Sequence, residues 1–194
     1  MSIDILRKLG EELVRNEIFH NEYLDALVEI YENGNIKLLI IGLDPFPNDP
    51  IGIHFCKNSW AKMKNGSGYI VFNSILDLET HIELNDSPKD LVINLAREGV
   101  ILLNSSYRLL KNLKGEAKEN AKKEGFEFNK LFIDKVIDQH VICLGKGYTF
   151  TKKYLKNNSK LIKVYHPATY HFKRGNPLWK DYWNKGCLKS KFDL

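Results

Sequence analysis

Four short apolar runs constrain this chain most: Lys37–Gly42, Gly99–Asn104, His140–Gly145 and Lys160–Tyr165, with helical patterns spaced between them. Runs of four to five Ile, Leu and Val residues punctuated by Gly or Pro read as strands buried on both faces. Strands that alternate with helices predict a parallel sheet covered on each side. The expected fold is therefore a three-layer α/β/α arrangement around a central four-stranded parallel sheet, with any active site at the carboxyl ends of the strands.

The intervening stretches fit that plan. Apolar positions recur at helical spacing over Ile3–Val14, Tyr23–Tyr31 and Phe128–Ile137. Asn33-Gly34 predicts a helix stop or turn. Ser87-Pro88 predicts a helix start, with Ser87 capping, Pro88 in the first turn and the helix running to Arg97. Tyr148–Asn157 reads as a short basic helix. Pro177–Asn184 reads as an aromatic-rich helix with a short basic tail behind it. Asp44–Gly68 reads as a long loop, and loops of that length in compact domains are usually functional or disordered. Tyr69–Leu84 is ambiguous between helix and strand. The polar, Lys-rich Gly115–Gly125 reads as a mobile loop or an exposed helical turn.

A length of 194 residues suits a single domain, 1–194, able to bury a sizeable core. The net charge of +5 permits a polyanionic partner without demanding one. No apolar run reaches the length of a membrane span, and Met1–Arg15 lacks a signal-peptide core. Cys56, Cys143 and Cys187 are odd in number and scattered, as in a reduced cytosolic or nuclear protein, and no CxxC pair or His/carboxylate cluster points to a metal. No cofactor is expected, because neither a Walker A loop nor a GxGxxG fingerprint is present.

The residues that follow the runs carry the chemistry. They are Asp44, Asn104, Gly145-Lys146-Gly147 and His166, so one edge of one sheet would hold a carboxylate, an amide, a basic glycine loop and an imidazole. Taken singly, each has an ordinary explanation: Asp before Pro forms turns, Asn caps helices, and Phe55 is core. Their recurrence at successive strand ends points to a site.

The motifs GLDPFP (Gly42–Pro47), GIHF (Gly52–Phe55), GVILLN (Gly99–Asn104), CLGKGYTFTKK (Cys143–Lys153) and HPATY (His166–Tyr170) resemble, in order and spacing, those of family 1 uracil-DNA glycosylases. The first is closest to the divergent poxviral-type members. The resemblance covers roughly Lys37–Phe172. It implies removal of uracil from DNA by hydrolysis of the N-glycosidic bond, with the nucleotide flipped into a pocket. Asp44 would then orient water and stabilise the sugar cation, and His166 would donate to the departing uracil O2. Asn104 would read O4 and N3–H. The Leu43 backbone would serve the uracil oxygens, Phe46 would block the thymine methyl and Phe55 would stack on the base. Pro45, Lys146, Gly147, Lys152, Lys153, Tyr170 and Arg174 would hold DNA, with Tyr170 in the place of the family's Leu wedge.

This chain departs from the family pattern in three places. Pro47 stands where the family has His, Phe46 lacks the Tyr hydroxyl, and no segment matches the Pro-Pro-Ser phosphate loop. The resemblance implies a monomer whose partner is single- or double-stranded DNA, with a replication or repair protein as a possible further partner and no membrane association. Two alternatives stay open: action on another damaged base, and a DNA-binding or polymerase-associated subunit with little or no catalysis.

Overall fold

The computed structural model describes residues 3–15, 19–45, 51–64, 66–83, 86–136, 140–155, 160–169 and 173–194. Its centre is an all-parallel sheet of four strands: β1 (Leu38–Gly42), β2 (Val100–Asn104), β3 (Val141–Leu144) and β4 (Leu161–Val164), in the order β2-β1-β3-β4. Every residue of β1, β2 and β3 is buried, as their uninterrupted apolar sequences require. In β4, Lys163 is exposed and Ile162 half-buried, so its pattern is that of an edge strand.

The helices in chain order are α1 (Ile3–Arg15), α2 (Asn21–Asn33), α3 (Trp60–Met63), α4 (Ser67–Ile75), α5 (Leu78–Glu83), α6 (Pro88–Arg97), α7 (Gly115–Ile133), α8 (Lys146–Tyr154), α9 (Pro177–Trp183) and α10 (Cys187–Phe192). With this strand order, the right-handed rule for parallel crossovers assigns α7 and α8 to one face and α6 to the other. The helix α4 packs with α9 and α10. The three-layer α/β/α architecture expected from the sequence is present. Among the described residues, no helix is long and apolar enough to cross a membrane.

Helix ends follow local chemistry. The helix α2 stops at Gly34, whose φ of 75° is a left-handed conformation; its N–H donates to Ile30 O. Pro88 opens α6 as expected, but the Ser87 side chain makes no capping hydrogen bond. At the outer edge of β2 the Tyr23 hydroxyl donates to Leu102 O at 2.6 Å and accepts from Leu102 N at 3.0 Å. One phenol thus satisfies both outward backbone groups of Leu102.

Two expectations need correction, and one open alternative is decided. Gly115–Gly125 is not a loop; it is the first half of the 19-residue α7. Its lysines concealed a buried face, since Ala121, Gly125 and Phe126 continue the stripe of Phe128 and Phe132. Lys122 lies along that face with its stem buried and its ammonium 4.0 Å above the Phe150 ring, bonded to Glu119. The stretch from Tyr69, open between helix and strand, is helical in Ser67–Ile75 and Leu78–Glu83, with Val71, Phe72, Ile75 and Leu78 buried; Leu84 lies outside the described residues. The basic tail forms α10, anchored by Leu188 and Phe192.

Candidate active site at the carboxyl ends of the strands

The order β2-β1-β3-β4 places a topological switch between β1 and β3, where the connections leave in opposite directions, the position at which open α/β sheets bind ligands. Asp44 follows β1, and Gly145 with the first turn of α8 follows β3, so they flank that switch; the glycine loop expected at Gly145-Lys146-Gly147 is the cap and start of a helix.

Gly42 and Asn104 are register partners at the ends of β1 and β2. Pairing continues past the strands: Ser105 N donates to Gly42 O and Ser106 N donates to Leu43 O, both at 3.0 Å. The Ser105 hydroxyl also donates to Gly42 O at 2.9 Å. Gly147, in the first turn of α8, is buried against this point, with Gly42 O 2.7 Å from where its Cβ would lie. The DNA-facing role expected for Gly147 therefore rests on a residue packed beneath the strand ends, while Lys146 beside it is exposed.

A Cβ on Gly42 would lie 2.5 Å from Asn104 Oδ1 and 2.7 Å from Phe55 Cζ. The amide and the ring expected to read and stack a base thus meet over the same α-carbon, and only glycine leaves room for them. Phe55 is 7% exposed and has φ 60°. A bulky residue in that region is strained by about 1–3 kcal/mol, and such strain gathers at functional sites.

Asp44 is half-buried, and its Oδ2 accepts the Leu110 N–H at 2.9 Å. Burial raises its pKa above the usual carboxylate value; the Leu110 bond and the charges of Lys118 and Lys111 oppose this without cancelling it. His166 follows β4 and lies close to Gly145, 3.9 Å from where a Cβ there would point. Its Nδ1 accepts the Ala168 N–H at 3.2 Å, which leaves the proton on Nε2 and makes that nitrogen a donor. Burial lowers its pKa, so the ring is neutral at pH 7. The α9 tryptophans clamp this turn: Trp183 Nε1 donates to Tyr165 O at 2.7 Å and Trp179 Nε1 to Pro167 O at 3.3 Å.

Leu43 and Pro45 are half-buried beside Asp44. Lys152 and Arg174 are exposed. Lys153 is committed to Glu119 at 2.9 Å, a surface pair that a phosphate would have to displace. Phe46, Pro47 and Tyr170 lie outside the described residues.

Residues that sequence reasoning missed support the amide. His54 Nδ1 lies 2.9 Å from Asn104 Nδ2. Asn129 Nδ2 donates to Asn104 O at 2.8 Å, and the Tyr107 hydroxyl donates to Asn129 Oδ1. One signal was available: Asn129 is a polar residue on the apolar face of α7, among Phe128, Leu131 and Phe132. His54 lay inside a motif already singled out.

Fold and site together define an α/β protein with a carboxylate, a neutral imidazole donor, and an amide paired with an aromatic ring at one sheet edge. Compared with known families and with curated proteins, the chain matches no family model and no curated protein.

Proposed function

We propose that the protein is a monofunctional uracil-DNA glycosylase, hydrolysing the N-glycosidic bond of uracil flipped out of DNA and leaving an abasic site. The observation that carries this reading is the meeting of the Asn104 amide and the Phe55 ring over the Gly42 α-carbon, two residues before Asp44. A flat ring beside one amide edge suits a planar base with adjacent donor and acceptor, which is uracil's N3–H and O4.

The remaining groups fit the demands of the reaction. Bond breaking builds positive charge on the sugar and negative charge on the base. Asp44 stabilises the first and orients the attacking water. His166, with its proton on Nε2, donates to uracil O2 as charge develops there, and a neutral ring suffices. Lys146 and Lys152 attract phosphates, and backbone N–H groups at the start of α8 add to that grip.

The test is base release from oligonucleotides carrying U·A, U·G, T·G, hypoxanthine·T and single-stranded uracil, read as strand cleavage after alkali. Cleavage of the uracil substrates alone, abolished in Asp44→Asn, is the expected result. Cleavage only at hypoxanthine or T·G would replace uracil with another base. DNA binding without any cleavage would overturn the enzymatic reading.

A further inference from the structure

Asn104 can read uracil only in one orientation. With Oδ1 and one Nδ2 proton facing the base, it accepts from N3–H and donates to O4. Turned by half a rotation it would meet cytosine's N3 and amino group instead. Something must therefore hold the amide.

His54 is placed to do so. It is 4% exposed, and Asn104 Nδ2 lies 2.9 Å from its Nδ1. Among the described residues its Nε2 is buried without a hydrogen-bond partner. Aromatic rings surround the imidazole: Phe19 at 5.2 Å, Tyr107 at 5.3 Å and Tyr23 at 6.4 Å between centroids. Both nearby hydroxyls are committed elsewhere, Tyr107 to Asn129 and Tyr23 to Leu102. An N–H among aromatic rings retains a weak attraction to a π face, whereas a lone pair there gains nothing. The cage therefore selects the tautomer with the proton on Nε2 and a bare Nδ1. Burial also keeps the ring neutral, its pKa pushed down to about 3. A bare Nδ1 can only accept, so the amide must present Nδ2 to it and leave Oδ1 over Gly42 and Phe55.

We propose that His54 is a positioning residue that locks the Asn104 amide in the orientation that reads uracil and rejects cytosine. This rests on the glycosylase reading given above. His54 touches no base; it acts through Asn104.

Two measurements test the proposal separately. In the folded wild type, ¹⁵N spectra of the histidines should show His54 as the Nε2–H tautomer with a hydrogen-bonded, unprotonated Nδ1. A proton on Nδ1 would overturn the proposal whatever the activity. The second compares inhibition by free uracil and free cytosine, alongside uracil release, in wild type, His54→Phe and His54→Gln. His54→Phe keeps a ring in the aromatic cage but removes the acceptor, so uracil release and uracil inhibition should weaken about 10- to 100-fold. The preference for uracil over cytosine should narrow with them. His54→Gln offers an oxygen acceptor and should recover most of that preference. An unchanged preference in a folded His54→Phe, or failure of His54→Gln to differ from it, overturns the proposal. A wild type that releases no uracil overturns the glycosylase reading and the base-reading role together, and the nitrogen spectrum still decides whether His54 orients Asn104.

Discussion

Replacing Gly42 by Ala tests the site more sharply than removing any polar group. The added methyl would lie 2.5 Å from Asn104 Oδ1 and 2.7 Å from Phe55 Cζ, both far inside contact distance. The obstructing atoms are side-chain ends, so the sheet holds while the amide and ring swing away. Overpacking of this kind costs about 1–3 kcal/mol. Breaking the Asn104–His54 hydrogen bond adds about 1 kcal/mol. The variant recovers about 0.4–1 kcal/mol because Ala restricts the unfolded chain. The net loss, about 1–4 kcal/mol, lowers the Tm by about 2–16 °C at 2–4 °C per kcal/mol for a chain of this size. Activity should suffer far more, because a displaced amide leaves the base's polar groups unpaired; uracil release should fall at least about 100-fold. Thermal unfolding by circular dichroism and base-release kinetics on the same preparation decide the matter. A folded Gly42→Ala enzyme with full activity would refute the reading that the Asn104 amide and the Phe55 ring, packed over Gly42, hold the base.

Further expectations follow from buried charge and edge pairing. Asp44→Asn should abolish activity and raise stability at neutral pH, since Asn still accepts the Leu110 N–H. The sign follows from the raised pKa: Asp44 favours the folded state below the unfolded carboxylate value of 3.8 and loses that contribution as pH rises through its folded pKa. Urea unfolding should therefore show the two proteins converging in acid, and a wild type more stable than the variant at pH 7 would contradict this. His54 behaves oppositely, its pKa depressed from 6.5 to about 3, so stability present above pH 6.5 drains away down to about pH 3. The full loss is on the order of 4–5 kcal/mol, and unfolding of His54→Phe should lack that acid slope. Tyr23→Phe strips the partner from Leu102 N–H and C=O on the β2 edge, costing about 1–3 kcal/mol by denaturant melts with no change in base preference.

The sheet was legible because burial on both faces leaves a local mark: β1, β2 and β3 must be apolar at every position, and Gly or Pro marks most of their ends. Parallel order followed from the alternation with helices, and with it the location of Asp44, Asn104 and His166 at a common edge. Where a segment's partners lie far away in sequence, legibility failed. The lysines of α7 read as solvent-facing until Lys122 is seen along Phe150, 28 positions away in the chain. Tyr69–Leu84 has no clean period because Val71, Phe72 and Ile75 in α4 and Leu78 in α5 are buried by surrounding elements.

By itself, then, the sequence determined which residues end the strands, since backbone pairing and apolar burial act over a few neighbours at a time. Only the tertiary structure decided what those residues face. The Asn104 amide meets a histidine 50 positions away, Asp44 the N–H of Leu110 at a separation of 66, and the β2 edge a phenol at 79. Such contacts depend on how loops and helices converge after the sheet has formed, and side-chain hydrogen bonds leave no periodic trace in the chain.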